Sequence, residues 1–509
     1  MRDNQGGDTD GTATAAATGD WNYVNLSATA VSDSCVFTNC EFRYGGNNGS
    51  AGMLMISAAT PRIENSYIYE SQTAGIYIIG ANPQVVGCRF ADNYRALDIR
   101  GRATAPGITG NQIEPQDNTP VIIDARCVPD IVSNNTFTAR LDGKLNAIQL
   151  WETTIGTSMT WPVPPPGFVY LYSTNDGYSN PRPIVIGGTG SPVLTLLPGT
   201  IVKLYEEACL QVGNTGAPGG LKANGVIFTS MRDNQGGDTD GTATAAATGD
   251  WNYVNLSATA VSDSCVFTNC EFRYGGNNGS AGMLMISAGT PRITACDFAS
   301  SATAGLRLSG TTTRPILAHC GFSQNPSGLR IVSNARPSID NCCFSGNSQY
   351  GLNADAYSDG QGVLLAQNCW WGSTAGPRTG TTGAGDRVTT NVSYSPWADY
   401  QVCETSVSSV GDLPEVVRNF QLAAPYPNPF NPTTTFEFAM PQTERVRLAI
   451  YDLSGRLVRV LVDEQRPAGT YDVQWNGMDD RGQRAASGVY LCRMEAGSFV
   501  STKRMTMLK

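Results

Sequence analysis

The sequence predicts an all-β protein in which a right-handed parallel β-helix, built as two duplicated stacks, is followed by a C-terminal β-sandwich. Residues Met1–Ile63 recur at Met231–Ile293, and the two copies differ only where Ala59 is replaced by Gly289. A shorter repeat of 22 to 27 residues carries runs of alternating apolar residues between turns rich in Gly, Asn, Ser and Pro. Such periods, without a helical pattern, are typical of the coils of a solenoid.

One Cys, Ser or Asn residue marks each coil of the short repeat. These marker positions are Cys40, Ser66, Cys88, Asn111 and Asn135 in the first stack, and Cys270, Cys296, Cys320, Cys342 and Cys369 in the second. Equivalent positions of stacked parallel coils lie about 4.8 Å apart, so an inward polar side chain can bond to its copy in the next coil. We therefore expect interior packing rather than a metal site, because buried free cysteine behaves as a small hydrophobe.

Composition limits the classes of function. The chain has 509 residues and a net charge of −9, and this acidic balance argues against general nucleic-acid binding, which needs a basic face. No stretch approaches the ~18 apolar residues of a membrane span. The placement of the 14 cysteines favours stacking, and disulfides Cys35–Cys40 and Cys265–Cys270 are the alternative.

Shifts in pattern divide the chain into five segments. We expect a first β-helix stack over residues 1–152, a Pro-rich connection with strands that restart the helix over 153–230, a second stack over 231–400, a linker over 401–424 and a sandwich over 425–509. Trp370 and Trp371 in NCWWGSTAGP are expected to cover the open apolar end of the second stack. Met1 aligns with Met231, which follows a strand, so we expect the first stack to be truncated at its N-terminus and a signal peptide to be missing for that reason.

The coils, the PGTIVK segment at Pro198–Lys203 and the NCWWGSTAGP motif resemble the right-handed parallel β-helix repeat proteins of the pectate-lyase-like superfamily. The resemblance spans most of residues 1–400 and implies the fold. It implies no single function, because this fold hosts lyases, hydrolases, epimerases and passive surface proteins.

The C-terminal segment carries several short motifs in order. They are NPFNP at Asn428–Pro432, IYDLSGR at Ile450–Arg456, WNGMDDRG at Trp475–Gly482, ASGVYLCR at Ala486–Arg493 and a basic end with Lys503, Arg504 and Lys509. This region is similar to the bacterial C-terminal sorting domain of type IX secretion and to the related Ig-like domain of flagellar hook-capping proteins. The resemblance implies an Ig-like sandwich, a secretion machinery as partner, and a secreted or cell-surface location.

Catalysis has few candidate residues in this sequence. The single histidine, His319, lies in the ladder region and is expected to be packed or in a turn, so a Ser-His-Asp triad is disfavoured. If Leu97 and Ile99 point inward, alternation sends Asp98 and Arg100 outward. These two are the candidates for a polysaccharide lyase or glycoside hydrolase acting on an acidic glycan, although the carboxylate pair that hydrolysis needs is not visible.

A calcium site is the one cofactor possibility that the sequence raises. Asp8 and Asp10 occur in a DTDG segment, and Asp238 and Asp240 repeat it. Their carboxylates are of the type that calcium prefers, but the EF-hand loop pattern is not met. Asp, Gly and Thr also form ordinary solvated turns, which is the alternative interpretation.

Strand alternation also predicts which side chains face outward from the coils. The expected outward residues are Leu54, Tyr77 and Asp98 in the first stack, and Leu284, Arg307, Arg330 and Asn353 in the second.

The sequence favours binding over catalysis. Arg307 and Arg330, on neighbouring coils with Asn353 after them, would form a strip for the carboxylates or sulfates of an extended polysaccharide. Tyr77 is a candidate for stacking on a sugar. Outward arginines can instead simply keep an exposed sheet soluble. The duplication would offer a long ligand two copies of one surface. We expect an exported structural, adhesive or polysaccharide-binding protein, with the lyase or hydrolase as alternative.

Overall fold

The computed structural model describes most of the chain, and the structural statements below concern the described part. The described residues are 16–28, 30, 34–47, 52–101, 107–173, 183–242, 244–277, 282–355, 357, 363–380, 383–403, 421–422, 425, 430, 433–440, 444–452, 454–466, 469–481, 483–497 and 499–507. The chain forms two compact units, Met1–Ser406 and Val407–Lys509. Each unit has its own apolar core.

The first coils consist of short strands that follow one another around the axis. They are β1 (Val24–Leu26), β2 (Val36–Thr38), β3 (Glu41–Arg43), β4 (Gly52–Ser57), β5 (Arg62–Glu64), β6 (Tyr67–Tyr69), β7 (Ala74–Ile79), β8 (Gln84–Val86), β9 (Arg89–Ala91), β10 (Arg95–Arg100), β11 (Gly107–Thr109), β12 (Gln112–Ile113) and β13 (Val121–Asp124). A 3₁₀ turn (Ala125–Cys127), helix α1 (Val128–Asn134) and β14 (Thr136–Phe137) follow. In the described part no helix is long and apolar enough to cross a bilayer.

The Pro-rich connection adds further coils to the same helix. The last strand before it is β15 (Ala147–Trp151). The strands of the connection are β16 (Thr154–Ile155), β17 (Met159–Trp161), β18 (Val169–Ser173), β19 (Ile184–Ile186), β20 (Val193–Leu196), β21 (Ile201–Tyr205), β22 (Cys209–Val212), β23 (Gly220–Asn224) and β24 (Ile227–Ser230). One parallel sheet of 13 strands runs through the first coils, the connection and the second copy. The two stacks are therefore one continuous β-helix.

The second copy and the coils after it complete the β-helix. The strands are β25 (Tyr253–Leu256), β26 (Val266–Thr268), β27 (Glu271–Arg273), β28 (Gly282–Ile286), β29 (Arg292–Thr294), β30 (Asp297–Ala299), β31 (Ala304–Ser309), β32 (Ile316–Ala318), β33 (Gly321–Ser323), β34 (Ser327–Val332), β35 (Ser338–Asp340), β36 (Cys343–Ser345), β37 (Tyr350–Asn353), β38 (Leu364–Leu365) and β39 (Val392–Ser393), with a 3₁₀ turn at Ser262–Ser264. An 8-stranded and a 7-stranded sheet form the other two faces here, and a 5-stranded and a 4-stranded sheet do so in the first coils.

The two copies of the duplicated sequence lie on different faces of the β-helix. Strand β4 belongs to the 13-stranded sheet, whereas its sequence copy β28 belongs to the 8-stranded sheet. Likewise β3 belongs to the 5-stranded sheet and its copy β27 to the 13-stranded sheet. The second copy is thus advanced around the axis by one face.

Polar ladders inside the coils confirm the predicted interior packing. The Oγ of Ser66 accepts a hydrogen bond from the Cys40 amide at 3.1 Å, and Asn111 Oδ1 accepts from the Cys88 amide at 2.8 Å. A second ladder, not anticipated from the sequence, joins Asn325 Nδ2 to Asn347 Oδ1 at 3.1 Å. Buried amides and thiols therefore bond from coil to coil, which offsets the cost of removing them from water.

The turn before each marker position explains the Asn that precedes many of the cysteines. Asn269, Asn341 and Asn368 have φ angles of 50°, 47° and 57°. Asn adopts this left-handed conformation more readily than most other non-glycine residues. His319 occupies the equivalent turn at φ 53° and is exposed. It therefore lies outside the interior ladder, in the turn that was the second expectation for it.

Aromatic rings form a continuous stack along the inner side of the 13-stranded sheet. The stack runs through Phe228, Phe272, Phe298, Phe322, Phe344 and Trp371, with centroid separations of 4.7 to 5.2 Å. Trp371 is fully buried at its end, as the closing motif predicts, and Trp370 is only half-buried. A disulfide between Cys343 and Cys403 ties the segment that follows to the last coils.

The C-terminal unit contains two antiparallel sheets. Its strands are β40 (Gln421–Leu422), β41 (Thr434–Met440), β42 (Glu444–Asp452), β43 (Leu457–Arg466), β44 (Gly469–Trp475), β45 (Gly488–Ala496) and β46 (Phe499–Met507). The sheets have the orders β40-β41-β44 and β43-β42-β45-β46. Trp475 lies in the core and its Nε1 donates to the Met478 carbonyl at 2.8 Å, which fixes the WNGMDDRG turn. The NPFNP motif lies outside the described residues except for Phe430, which is buried.

Candidate functional site

The arginine strip, Arg307, Arg330 and Asn353, lies on the outer side of the 8-stranded sheet. Arg307 pairs in register with Arg330, and Arg330 pairs with Asn353. All three side chains are half-buried. Parallel neighbours in register lie about 4.8 Å apart, so the side chains of Arg307 and Arg330 leave the sheet next to each other. The sequence interpretation therefore placed these three residues correctly with respect to one another.

The prediction for the neighbouring coils was wrong by one residue. Leu54 and Leu284 are fully buried, and the outward residues in register with Tyr77 and Arg307 are Met55 and Met285. The Ala-Gly pairs of successive coils suggested a different alignment. A shift of one residue along a strand exchanges its inward and outward side chains.

The strip arginines differ from most other arginines of the β-helix because they have no acidic partner within the described residues. Neither Arg307 nor Arg330 forms a described ion pair, and the buried Nε of Arg307 makes no hydrogen bond there. By contrast, Arg62 pairs with Glu64 at 2.5 Å and Arg89 with Glu114 at 2.6 Å. Burial, together with the charge of Arg330, lowers the pKa of Arg307. The strip is an uncompensated positive site in an acidic protein.

The catalytic candidates Asp98 and Arg100 are engaged with each other. Arg100 Nε and an Nη atom contact the two carboxylate oxygens of Asp98 at 2.7 and 2.8 Å. The Asp98 side chain is 8% exposed. The guanidinium also lies over the ring of Trp151, 4.1 Å from its centroid. In this bidentate pair the Arg100 guanidinium occupies both carboxylate oxygens of Asp98, so neither side chain is placed as the free acid or base that catalysis would need.

Tyr77 lies on a different face from the arginine strip. It belongs to β7 of the 13-stranded sheet, and the Arg100 guanidinium lies 5.9 Å from its ring centroid. The structure therefore brings Tyr77 together with Asp98 and Arg100 but not with the strip. The two copies of the duplicated surface also lie on different faces. A straight ligand that follows one face therefore cannot contact both copies.

The calcium candidates of the second copy belong to a loop that covers part of the 13-stranded sheet. In this covering loop, residues 231–242, Asp238 Oδ1 accepts the Gly241 amide at 2.8 Å, and Asp240 accepts both the amide and the hydroxyl of Thr242 at 2.8 Å. No group of three metal-ligating side chains occurs in the part of the chain that the structure describes. The turn interpretation therefore explains Asp238 and Asp240. Asp8 and Asp10 lie outside the described residues.

A buried lysine anchors the covering loop. Lys203, from the PGTIVK segment, is fully buried, and its Nζ donates to the carbonyl oxygens of Asp233 and Gly237 at 2.5 and 2.6 Å. Burial lowers the pKa of Lys203 to about 8, against the opposing effect of the nearby Asp233. Met231 packs on the outer apolar cluster of this sheet beside Val169. The outer face here is covered and is not a ligand surface.

The sequence interpretation missed an aromatic cluster on the 5-stranded sheet. The rings of Tyr67 and Tyr69 stack with centroids 4.2 Å apart. Arg89 lies 4.8 Å from the Tyr67 centroid and Arg43 lies 6.0 Å from that of Tyr69. Arginines and rings thus cover each other's faces, so this cluster does not offer a free ring for sugar stacking. Its signal in the sequence is the YIY segment, one coil after EFR.

The cysteines are packing residues in most coils. Cys35, Cys40, Cys265 and Cys270 are free thiols, so the two suggested short-range disulfides do not form. Burial raises the pKa of Cys369 to about 12. Thiols held in this protonated state are poor nucleophiles and poor metal ligands.

Comparison with known families gives two matches. Residues 24–155 and 254–370 match the right-handed beta helix region, and residues 430–498 match the FlgD Ig-like domain. The comparison with curated proteins gives no match. These matches agree with the continuous parallel coils and with the two antiparallel sheets of the C-terminal unit. The chain is therefore a right-handed β-helix protein that carries a C-terminal FlgD Ig-like domain.

Proposed function

We propose that the β-helix binds an acidic polysaccharide along the arginine strip. The observation that carries this proposal is the in-register pair Arg307 and Arg330, which has no acidic partner among the described residues. Guanidinium groups bind carboxylates and sulfates through paired hydrogen bonds. An extended glycan carries such groups at regular intervals, so successive anionic groups can neutralise the arginine charges on neighbouring coils. Asn353 continues the strip with an amide able to bond sugar hydroxyls.

The catalytic alternative has less support. Asp98 is bound to Arg100, and the described residues contain no cluster of acids for calcium. A lyase would need such a cluster beside a free base. We therefore propose a binding, adhesive or structural role.

The C-terminal domain supports a proposal about location. FlgD Ig-like domains resemble the sorting domains of type IX secretion, and we propose that residues 425–509 direct export and hold the protein at the cell surface. Deleting these residues in the cells that make the protein should retain the β-helix inside them. Unchanged export of the truncated protein would contradict this proposal.

Binding can be tested with immobilised polygalacturonate, dextran sulfate and neutral dextran. We expect the full chain to bind one or both of the charged polymers but not neutral dextran. The double variant R307Q/R330Q should bind about a hundredfold or more weakly, since each of its two lost charge-assisted contacts costs about 1.5–3 kcal/mol. Equal binding by the variant would refute the proposed site.

The matched control removes the same charge elsewhere on the β-helix. Arg292 and Arg314 are exposed, and the double variant R292Q/R314Q leaves the strip intact. It should bind as the unmodified chain does at equal salt. A loss equal to that of R307Q/R330Q would show only a general charge effect. Release of unsaturated uronate products from polygalacturonate would favour the lyase instead.

A further inference from the structure

An open cleft lies next to the arginine strip, at the last coils of the β-helix. Its cavity volume is about 570 Å³, which is within the range of small-molecule sites, roughly 300–1,000 Å³. It is lined by Ser348, Gln349, Tyr350, Arg378, Gly380 and Arg387. No residue of this cleft belongs to the strip.

Backbone pairing places the two arginines of the cleft side by side. The Gly351 amide donates to the Arg387 carbonyl at 2.8 Å, so Arg387 lies one coil beyond strand β37. Arg378 and Arg387 form a parallel bridge with each other. Tyr350 opens β37 and pairs with Ser327 of the previous coil. These contacts belong to the closing segment of the β-helix and define the walls of the cleft.

The cleft has an excess of positive charge. Arg387 lies over the Tyr350 ring, 4.8 Å from its centroid, which orients the guanidinium through a cation–π contact. Asp386, which precedes Arg387 in the chain, is buried and accepts hydrogen bonds from the Asn347 amide at 3.0 Å and from its Nδ2 at 2.6 Å. Burial raises the pKa of its carboxyl, against the opposing effects of Asn347 and Arg378. Neither Arg378 nor Arg387 forms an ion pair in the part of the chain that the structure describes. An anion can therefore bind here without breaking an ion pair among the described residues.

We propose that this cleft binds the carboxylate or sulfate of a single anionic sugar residue, at the end of the glycan chain that lies along the strip. The inference rests on the proposed function, because it names a further site for the same class of ligand. Asn353 of the strip and Tyr350 of the cleft belong to one strand and lie about 10 Å apart along it. Arg378 and Arg387 hold the anionic group, and the side chains of Ser348 and Gln349 bond the hydroxyls of the sugar.

The cleft and the strip can be separated by the size of the ligand. The cleft should bind monomeric galacturonate or glucose 6-sulfate, whereas the strip needs a polymer. We expect galacturonate binding to the full chain, measured by calorimetry, to fall at least about tenfold in R378Q/R387Q and to be unchanged in the control variant R292Q/R314Q. The sulfated monomer distinguishes a sulfate site from a carboxylate site, and neutral galactose should bind to neither variant nor to the unmodified chain.

Each outcome separates the two proposals. Polymer binding that depends on Arg307 and Arg330, without any monomer binding that depends on Arg378 and Arg387, overturns the cleft proposal and leaves the strip in place. Monomer binding lost only in R378Q/R387Q supports the cleft even where polymer binding does not depend on the strip. Absence of binding to every charged probe refutes both proposals.

A second measurement uses the unmodified chain and does not depend on how well a variant folds. Phenylglyoxal modifies accessible arginines, and mass spectrometry of the resulting peptides reports each position. Galacturonate should protect Arg378 and Arg387 severalfold, whereas galactose should not, and Arg314 should react equally in all samples. Equal modification of the cleft arginines with and without galacturonate would overturn the proposal.

Discussion

Replacing Arg330 with glutamine should stabilise the β-helix at low salt, which is an unusual result for a half-buried residue. Arg307 and Arg330 are in register, so their charges lie about 5 Å apart. Coulomb's law gives a repulsion of about 0.8 kcal/mol in a water-like dielectric and about 3 kcal/mol at an effective dielectric constant of ~20. Because the long side chains can diverge, we expect a gain of about 1 kcal/mol, which corresponds to about 1–2 °C in Tm.

The assay is thermal unfolding of the full chain over a salt series. The gain from Arg330→Gln should be largest at ~0.01 M NaCl and nearly absent at ~1 M, where the Debye length falls to about 3 Å. Arg62→Gln is the matched control, because Arg62 pairs with Glu64 at 2.5 Å, and removing that exposed pair should cost about 0–1 kcal/mol. If Arg330→Gln lowers Tm at low salt as the control does, or if the change in Tm is the same at all salt concentrations, repulsion between Arg307 and Arg330 is refuted.

Three further predictions follow from other parts of the chain. Burial lowers the folded-state pKa of Lys203 to about 8. Between pH ~8 and ~10.5 the unfolded chain therefore holds more protons at Lys203 than the folded chain does, so stability should rise with pH in that window. Tm measured over a pH series should show this rise in the unmodified chain and lose it in Lys203→Met. Asn325→Leu should lower the urea midpoint by the equivalent of about 2–4 kcal/mol, because Asn325 bonds the Ser301 amide at 2.9 Å and the Phe298 carbonyl at 2.9 Å; a loss below ~1 kcal/mol would contradict its role in the ladder. Cys403→Ser should open a loop of 60 residues and cost about 4 kcal/mol, seen as faster proteolysis of the closing segment; cleavage at the unchanged rate would argue against that contribution.

Much of the fold could be predicted because each coil repeats the same local chemistry. The spacing of Cys296, Cys320 and Cys342 indicated stacked coils, and the family matches and parallel sheets confirm this. The neighbouring positions of Arg307, Arg330 and Asn353 followed from their equal spacing of 23 residues, which the structure keeps in register. The error at Leu284 arose because the aligned Ala-Gly pairs implied the same 23-residue step there, whereas Met285 is in register with Arg307, 22 residues later. A shift of one residue exchanges inward and outward side chains.

The remaining features depend on contacts between distant residues. Lys203 and the carbonyl of Gly237 are 34 positions apart, and nothing in either local sequence marks the contact. The cleft likewise joins Tyr350 to Arg387 through the closing segment, where the regular repeat has ended. Pairing that spans a break in periodicity has no signal in the repeat itself. Which arginines have an acidic partner could therefore be seen only in the three-dimensional structure.

The placement of one sequence on two faces has a consequence for how this β-helix can change in length. Strands β4 and β28 have the same amino-acid sequence from Gly52 to Ile56 and from Gly282 to Ile286, yet they join different sheets. The structure of these strands is therefore determined by the coils before and after them. It does not depend on which of the three faces of the β-helix they occupy. A tandem copy inserted into the β-helix therefore needs only compatible coils at its two ends. It can start on any of the three faces. Unequal recombination could thus lengthen or shorten the protein by whole blocks while each block keeps its local structure.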